Sequence, residues 1–347
     1  MYPLKFKSAV LEKINKPLKV KNIFFKGPLK KGQVLVKLFF SSICGKQIDE
    51  IKGIGEYDKF LPHCLGHEGS ANVIDVGPKV KRIKKGQNVI LHWIKTKGIN
   101  SKVPTYFDEN NKIINAGWVT TFNEYAVVSE NRLTEIKEKI NLKDAALFGC
   151  AIPTALGSVF NEVKIKKNTS VIIYGAGGIG LFMIQALKII SVKKIIAIDI
   201  NEKSLRLAKK LGAKYVFNPK KENIKSKIKN ITDSKGAEIV FINIGNNKSI
   251  ENAIDCCSTP GKCIQVGVPD KKTKTQVDMF SVMHGKQIFG SMGGSTIPHV
   301  HLKKYIEIYK KKLINVKKVI NKTFLLRDIN KAIRFHKRNS GKVIIRF

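Results

Sequence analysis

The run Gly175-Ala-Gly177-Gly178-Ile-Gly180 has the spacing GxGxxG. Glycines at those places permit a tight turn and let a backbone approach a pyrophosphate. The helix that follows offers unpaired N–H groups and the positive end of its dipole to the same anion. The spacing alone is a weak signal. Here an apolar strand, Ser170 to Tyr174, leads into it and an apolar-faced helix, Gly178 to Ile190, leaves it, which is the setting the pattern requires. Asp199 ends the next strand, about 20 residues on, where a carboxylate accepts hydrogen bonds from ribose hydroxyls and repels a 2′-phosphate. NAD is therefore expected in preference to NADP.

The second set of reactive side chains is the six cysteines, Cys44, Cys64, Cys150, Cys256, Cys257 and Cys263. No CxxC pair occurs among them, which argues against a zinc ribbon or a thioredoxin-like site. The N-terminal stretch breaks its apolar residues with lysine and shows no signal-peptide core, so a disulfide framework is a poor reading and a cytoplasmic location is expected. Metal binding and simple burial are the readings left open at this point.

The elements that must hold these residues change character near Cys150. Before it, short β-like runs such as Gln33 to Phe40, Ala71 to Val76, Asn88 to His92 and Glu124 to Val128 are separated by Gly-Pro and Lys-Gly punctuation. They predict an antiparallel, barrel-like β domain. After it, strands at Ser170 to Tyr174, Lys194 to Asp199, Tyr215 to Phe217, Glu238 to Asn243 and Cys263 to Val268 alternate with helices such as Glu202 to Leu211. That alternation predicts a parallel α/β sheet. It ends near Gly290 to Gly294. A helix over His299 to Lys312 and a closing strand at Val343 to Ile345 are expected to pack back on the β domain.

At 347 residues there is room for two cores, and 43% hydrophobic with 26% charged residues is an ordinary globular balance. No apolar run approaches the roughly 20 residues that span a bilayer. The formal net charge of +38 brings nucleic acid to mind. The lysines, however, are spread in short runs such as Lys310 to Lys312 and are not gathered with aromatics on one segment, so no nucleic-acid or membrane partner is expected.

Ser42-Ile-Cys44-Gly45, Leu65-Gly66-His67-Glu68-Gly69 and Phe148-Gly149-Cys150 precede the glycine-rich run in that order. With Thr121 to Val128 and the closing Gly341 to Phe347, this resembles the zinc-dependent alcohol dehydrogenases of the medium-chain dehydrogenase/reductase superfamily, over essentially the whole chain. The resemblance implies a GroES-like β-barrel catalytic domain at 1–152 and 294–347 and a Rossmann domain, a doubly wound parallel sheet, at 153–293. It implies hydride transfer between NAD(H) and a small alcohol or carbonyl substrate. It assigns Cys44, His67 and Cys150 to one catalytic Zn²⁺, the Cys₂His set with an open fourth position for which alcohol dehydrogenase is the standard example. Glu68 matches the family's carboxylate beside the zinc. Thr154 and Val268 match residues bordering the nicotinamide, Gly175, Gly177, Gly178, Gly180 and Asp199 bind the rest of the cofactor, and Lys342 stands where many relatives carry an arginine near the pyrophosphate. His63 and Cys64 receive no role, and Cys256, Cys257 and Cys263 are expected in the core.

Two departures matter. Relatives often carry four closely spaced cysteines for a structural zinc, but His92 to Trp118 has none, so one zinc per chain is expected. Trp93 falls where the family has a substrate-pocket aromatic, with a core tryptophan the competing reading. After Cys44-Gly45 the family has a hydroxyl residue and then Asp, where this chain has Lys46 and Gln47. The usual proton relay is missing. Lys46 is expected to replace it, and Gln47 to accept a hydrogen bond from the His67 ring. Three functions remain in view: an alcohol or polyol dehydrogenase, a glutathione-adduct dehydrogenase like the class III alcohol dehydrogenases, and a catalytically silent NAD-binding protein. A homodimer or dimer-based oligomer is expected by analogy, with the strand Gln287 to Ser291 pairing across a two-fold.

Overall fold

The computed structural model describes residues 2–54 and 57–347. Strands Leu4–Leu11, Lys19–Phe25, Thr105–Phe107, Ile113–Asn115 and His63–Cys64 close a small barrel. Beside it lies a seven-stranded sheet centred on the long strand Gln33–Ile43, which pairs with Gly69–Val76, with Tyr125–Ser129 and with Lys342–Arg346. The last of these pairings brings the end of the chain back onto its beginning, as expected. The β half is less purely antiparallel than the sequence suggests. His63–Cys64 runs parallel to Ile113–Asn115, and Ile320–Leu325 parallel to Lys342–Arg346.

The other half is a six-stranded, wholly parallel sheet. Its order is Tyr215–Phe217, Lys194–Ile198, Ser170–Tyr174, Ala237–Ile242, Cys257–Gln265 and Gln287–Gly290. Numbered along the chain, that order is 3-2-1-4-5-6, the doubly wound Rossmann arrangement, whose crevice opens between the first and fourth strands. The strands are continuous apolar runs because both faces are covered by helices. Helix Glu202–Leu211 has the expected bounds. Asn201 caps it, its side chain accepting from the N–H groups of Lys203 and Ser204, and Gly212 ends it at a φ of 129°.

Helix Ala151–Phe160 joins the halves. It is buried along nearly its whole length and belongs to a core cluster that also takes in Ile90 and Ile344 of the β half. A buried carboxylate ties three segments of the β half together. Glu130, 2% exposed, accepts from the backbone N–H of Lys81 and Arg82 through Oε1 at 2.9 and 2.8 Å, and from Ile99 through Oε2 at 2.8 Å.

Candidate metal and nucleotide site

Three separate segments deliver the metal-type ligands. Cys44 sits at the end of strand Gln33–Ile43 and caps helix Gly45–Ile51. His67 follows the strand His63–Cys64. Cys150 lies between the 3₁₀ turn Ala146–Gly149 and helix Ala151–Phe160. Gly149 permits the approach of the third segment to the second: a Cβ there would collide with the Leu91 carbonyl oxygen and lie 2.7 Å from Glu68 Cβ.

The ligand atoms of Cys44, His67 and Cys150 all lie within 4.8 Å of one another, and among the described residues they form the one such group of His, Cys, Asp or Glu side chains. His67 Nε2 is buried and has no protein partner. Cys150 donates its S–H to Cys44, and this bond, with the charge of Lys342 and His67 nearby, holds the Cys44 thiol well below its ordinary pKa. Burial alone would lower the pKa of His67. The neighbouring Cys44 sulfur and the charges of Glu68 and Glu50 outweigh it and push the ring upward. Two sulfurs and an orphaned imidazole nitrogen converging in a buried, anionic setting fit a zinc ion.

The support behind the ligands differs from expectation at Gln47. Its Oε1 accepts from the Cys44 N–H at 2.9 Å, so the amide nitrogen faces His67 Nδ1, 2.5 Å away. Gln47 therefore donates to the ring and does not accept from it. One amide oxygen cannot serve two donors on opposite sides, whereas a carboxylate can.

Glu68 is fully buried. Its Oε1 accepts from Lys342 Nζ at 2.7 Å and its Oε2 from the Ala151 N–H at 3.1 Å. Lys342 also donates to the Ile43 carbonyl at 2.9 Å. Burial would lower the Lys342 pKa, but the charges of Glu68 and Cys44 hold it above its ordinary value. The side chain expected near the pyrophosphate divides here between two contacts. The ammonium, 4% exposed, is turned inward to Glu68, and it is the aliphatic stem that reaches the nucleotide turn, since a Cβ on Gly178 would lie 2.6 Å from Lys342 Cδ.

That turn has the form a phosphate needs. Gly175 has a φ of 97°, and Gly177 caps helix Gly178–Ile189 with open space where its side chain would be. Gly180 packs on the turn, where a Cβ would collide with the Gly175 carbonyl oxygen. Asp199 follows the strand Lys194–Ile198, and each of its oxygens accepts one backbone N–H, from Asn201 and from Ala176, both at 2.8 Å. Each oxygen keeps a lone pair for a hydroxyl. Burial pushes the Asp199 carboxyl up, partly offset by those bonds. Val268, 56% exposed, lies beyond the end of strand Cys257–Gln265, on the same edge of the sheet. Thr154 is buried one turn into helix Ala151–Phe160, its N–H bonded to the Cys150 carbonyl at 3.0 Å. Trp93 is half-buried against Gly293, with its indole N–H buried and unpartnered. Lys46 is half-buried on the first turn of helix Gly45–Ile51, and its charge opposes the burial that raises the carboxyls of Asp49 and Glu50. The sequence draws attention to neither Glu50 nor the Glu68–Lys342 pair, because both depend on contacts that no local spacing encodes.

A Cys₂His cluster behind a dinucleotide crevice defines a metal-dependent dehydrogenase. Comparison with known proteins agrees. Residues 30–138 match an alcohol dehydrogenase GroES-like domain and residues 178–311 a zinc-binding dehydrogenase domain. An S-(hydroxymethyl)glutathione dehydrogenase of Synechocystis is 28% identical over 98% of both chains. The solved benzyl alcohol dehydrogenase of Acinetobacter calcoaceticus is 26% identical over 99% of both chains, with a TM-score of 0.88. An Escherichia coli dehydrogenase solved with NADH shares the fold at a TM-score of 0.80 and 22% identity. The chain belongs to the zinc-dependent alcohol dehydrogenase family, and it is a zinc-dependent oxidoreductase that uses a nicotinamide cofactor. Among the described residues, no helix is long and apolar enough to cross a membrane.

Proposed function

We propose that the chain oxidises a small alcohol, or reduces the matching carbonyl, with Cys44, His67 and Cys150 holding the metal and the crevice above them holding NAD(H). The observation that carries this reading is the convergence of the three ligand atoms within 4.8 Å, with His67 Nε2 left unpaired. Zinc in that set supplies a Lewis acid for the negative charge that develops on the substrate oxygen. The chain does the rest. Gly175, Gly177, Gly178 and Gly180 present backbone to the cofactor pyrophosphate, and Asp199 accepts from its ribose hydroxyls, favouring NAD. Thr154 and Val268 border the nicotinamide. Lys46 takes and returns the alcohol proton, and Trp93 walls the substrate side. Glu68, pinned by Lys342, fixes the start of helix Ala151–Phe160 and so the position of Cys150.

A hydroxymethyl adduct of glutathione is the second substrate reading, supported by the names of the Synechocystis relative and of another from Paracoccus denitrificans, 26% identical over 95% of this chain. The test follows NADH absorbance with zinc-loaded protein across primary alcohols, polyols and formaldehyde with and without glutathione. Turnover that needs glutathione selects the second reading. Cys150→Ser is expected to abolish turnover while the fold persists. Turnover that survives removal of zinc overturns the proposal.

Two copies are proposed to pair through strand Gln287–Gly290. It lies at the edge of the six-stranded sheet, and exposed apolar side chains surround it: Met279 and Phe280 at 68%, Met283 at 73% and Met292 at 76%. A cytoplasmic location fits the six free cysteines.

A further inference from the structure

Three cysteines lie far along the chain from the metal ligands. Cys256, Cys257 and Cys263 belong to the core cluster on one face of the parallel sheet. Cys257 opens strand Cys257–Gln265 and Cys263 lies near its end, six positions later. Alternation along a regular strand would not bring these two sulfurs into contact. This strand is irregular. Its register against the neighbouring strand passes from Ala237↔Cys257 to Ile239↔Lys262, so the four residues Ser258 to Gly261 bulge opposite the single residue Glu238. The loop folds back over Cys257, since a Cβ on Gly261 would lie 2.7 Å from Cys257 Sγ. The two thiols are neighbours within one core cluster, and a hydrogen bond from Cys263 lowers the Cys257 pKa.

Cys257 also faces a space. It lines a cavity of about 300 Å³ together with Lys225, Lys235, Lys286, Asp255 and Asp278. Lys225 is drawn to Asp255 at 3.6 Å, and Asp278 accepts from Ser281 Oγ at 2.5 Å and from the Phe280 N–H at 3.0 Å. Lys286 is different. It is 8% exposed, its hydrogen bond is a long one of 3.4 Å to the Ile254 carbonyl, and among the described residues no carboxylate pairs with it within 4.0 Å. A buried ammonium without a carboxylate stabilises an anion beside it. The hydrogen bond from Cys263, and then the charge of Lys286, lower the Cys257 pKa against the effect of burial. Cys256 lines a separate cavity of about 180 Å³, but burial pushes its thiol up to about 12, as it does for Cys64.

We propose that Cys257 is a peroxide-reactive thiol and Cys263 its resolving partner, so that the pair closes a reversible disulfide within the nucleotide-binding half of the molecule. The Cys257 thiolate attacks one peroxide oxygen, an S–O bond forms, the O–O bond breaks, and the departing hydroxide takes a proton to become water. Cys263 then attacks the sulfenic sulfur. The S–S bond forms, the S–O bond breaks, and the hydroxyl leaves as a second water with the Cys263 proton. Two thiols lose two electrons and one peroxide gains them. The bulged segment Ser258 to Gly261 absorbs the movement, and the strand it interrupts ends at Gln265, just before Val266–Val268.

The experiment treats zinc-loaded protein with hydrogen peroxide, alkylates the remaining thiols and maps the tryptic peptides. Lys262 lies between the two cysteines, so reduced protein yields them on separate peptides and the disulfide yields a linked pair. The linked pair is expected to form roughly tenfold or more faster than any oxidation at Cys64 or Cys256, and to be reversed by dithiothreitol. Cys256→Ser is expected to leave the link in place, and Cys257→Ser to abolish it. Oxidation that stops on Cys257 without a link, a link from Cys256 instead, or Cys257 reacting no faster than Cys64 overturns the proposal. Each of these outcomes is read in the wild-type protein or in Cys256→Ser, so a failure of Cys257→Ser to fold does not obscure it.

Discussion

At the scale of single residues, the ring of His67 is held by the wrong kind of group for a metal ligand. An imidazole that gives Nε2 to zinc carries its proton on Nδ1 and needs an acceptor there. Gln47 spends its one oxygen on the Cys44 N–H and turns its amide nitrogen to the ring. Metal binding must rotate the amide, which leaves the Cys44 N–H facing a donor. Gln47→Asp gives acceptors to both groups, and zinc affinity measured by chelator competition should rise about tenfold, the scale on which such supporting groups act. An unchanged or weaker affinity would show that the amide is not limiting. Lys46, one position earlier, is the other departure from the family pattern. If it moves the alcohol proton, Lys46→Met lowers kcat by about 10²-fold or more with zinc content intact. A rise in KM at constant kcat would instead assign it to an anionic part of the substrate.

At the scale of elements, the closing strand Lys342–Arg346 links the two chemistries. Its first residue places an ammonium on Glu68 behind the zinc ligands and its aliphatic stem against the first residue of the nucleotide helix. Lys342→Met leaves Glu68 charged and buried without its partner, and should destabilise the protein by about 3–5 kcal/mol. Glu68→Gln added to Lys342→Met should recover part of that loss in denaturant unfolding. If the single variant unfolds like wild type, the pair is not holding the fold together. These contacts also mark what the sequence can and cannot reveal. The glycine turn, its flanking strand and helix Glu202–Leu211 are legible because their signals are local: apolar runs, a capping Asn201 and a terminal Gly212. Helices Ile224–Ile231 and Asn247–Asp255 escape notice because lysine and asparagine dilute their apolar faces. The start of strand Cys257–Gln265 is hidden by its own Pro260 and Gly261, which read as a turn. The three ligands are recognisable as an ordered set, but their supports lie across the chain. Glu68 and Lys342 are 274 positions apart, and Glu130 reaches loops 31 and 49 positions away.

At the scale of the whole molecule, the net charge of +38 acts against association. Two such chains repel over distances set by the Debye length, about 10 Å at 0.1 M salt and about 3 Å at 1 M. Against that repulsion stands the apolar border of the edge strand, where Met279, Phe280, Met283 and Met292 are each at least two-thirds exposed. An edge of unpaired backbone groups flanked by large apolar side chains gains both hydrogen bonds and buried surface when it meets its copy across a two-fold. The balance predicts an unusual salt dependence. Dimer dissociation measured by light scattering or sedimentation should weaken as salt rises from about 0.1 to 1 M, because screening removes the repulsion and leaves the apolar contact intact. Phe280→Asp combined with Met283→Asp should give a monomer that still holds zinc, since both side chains lie on a short exposed helix, Met279–Met283, separate from the segments that carry the metal ligands. A chain that stays monomeric at every salt concentration would remove the edge strand as an interface. A dimer that falls apart as salt rises would place the contact on ion pairs and not on this apolar edge.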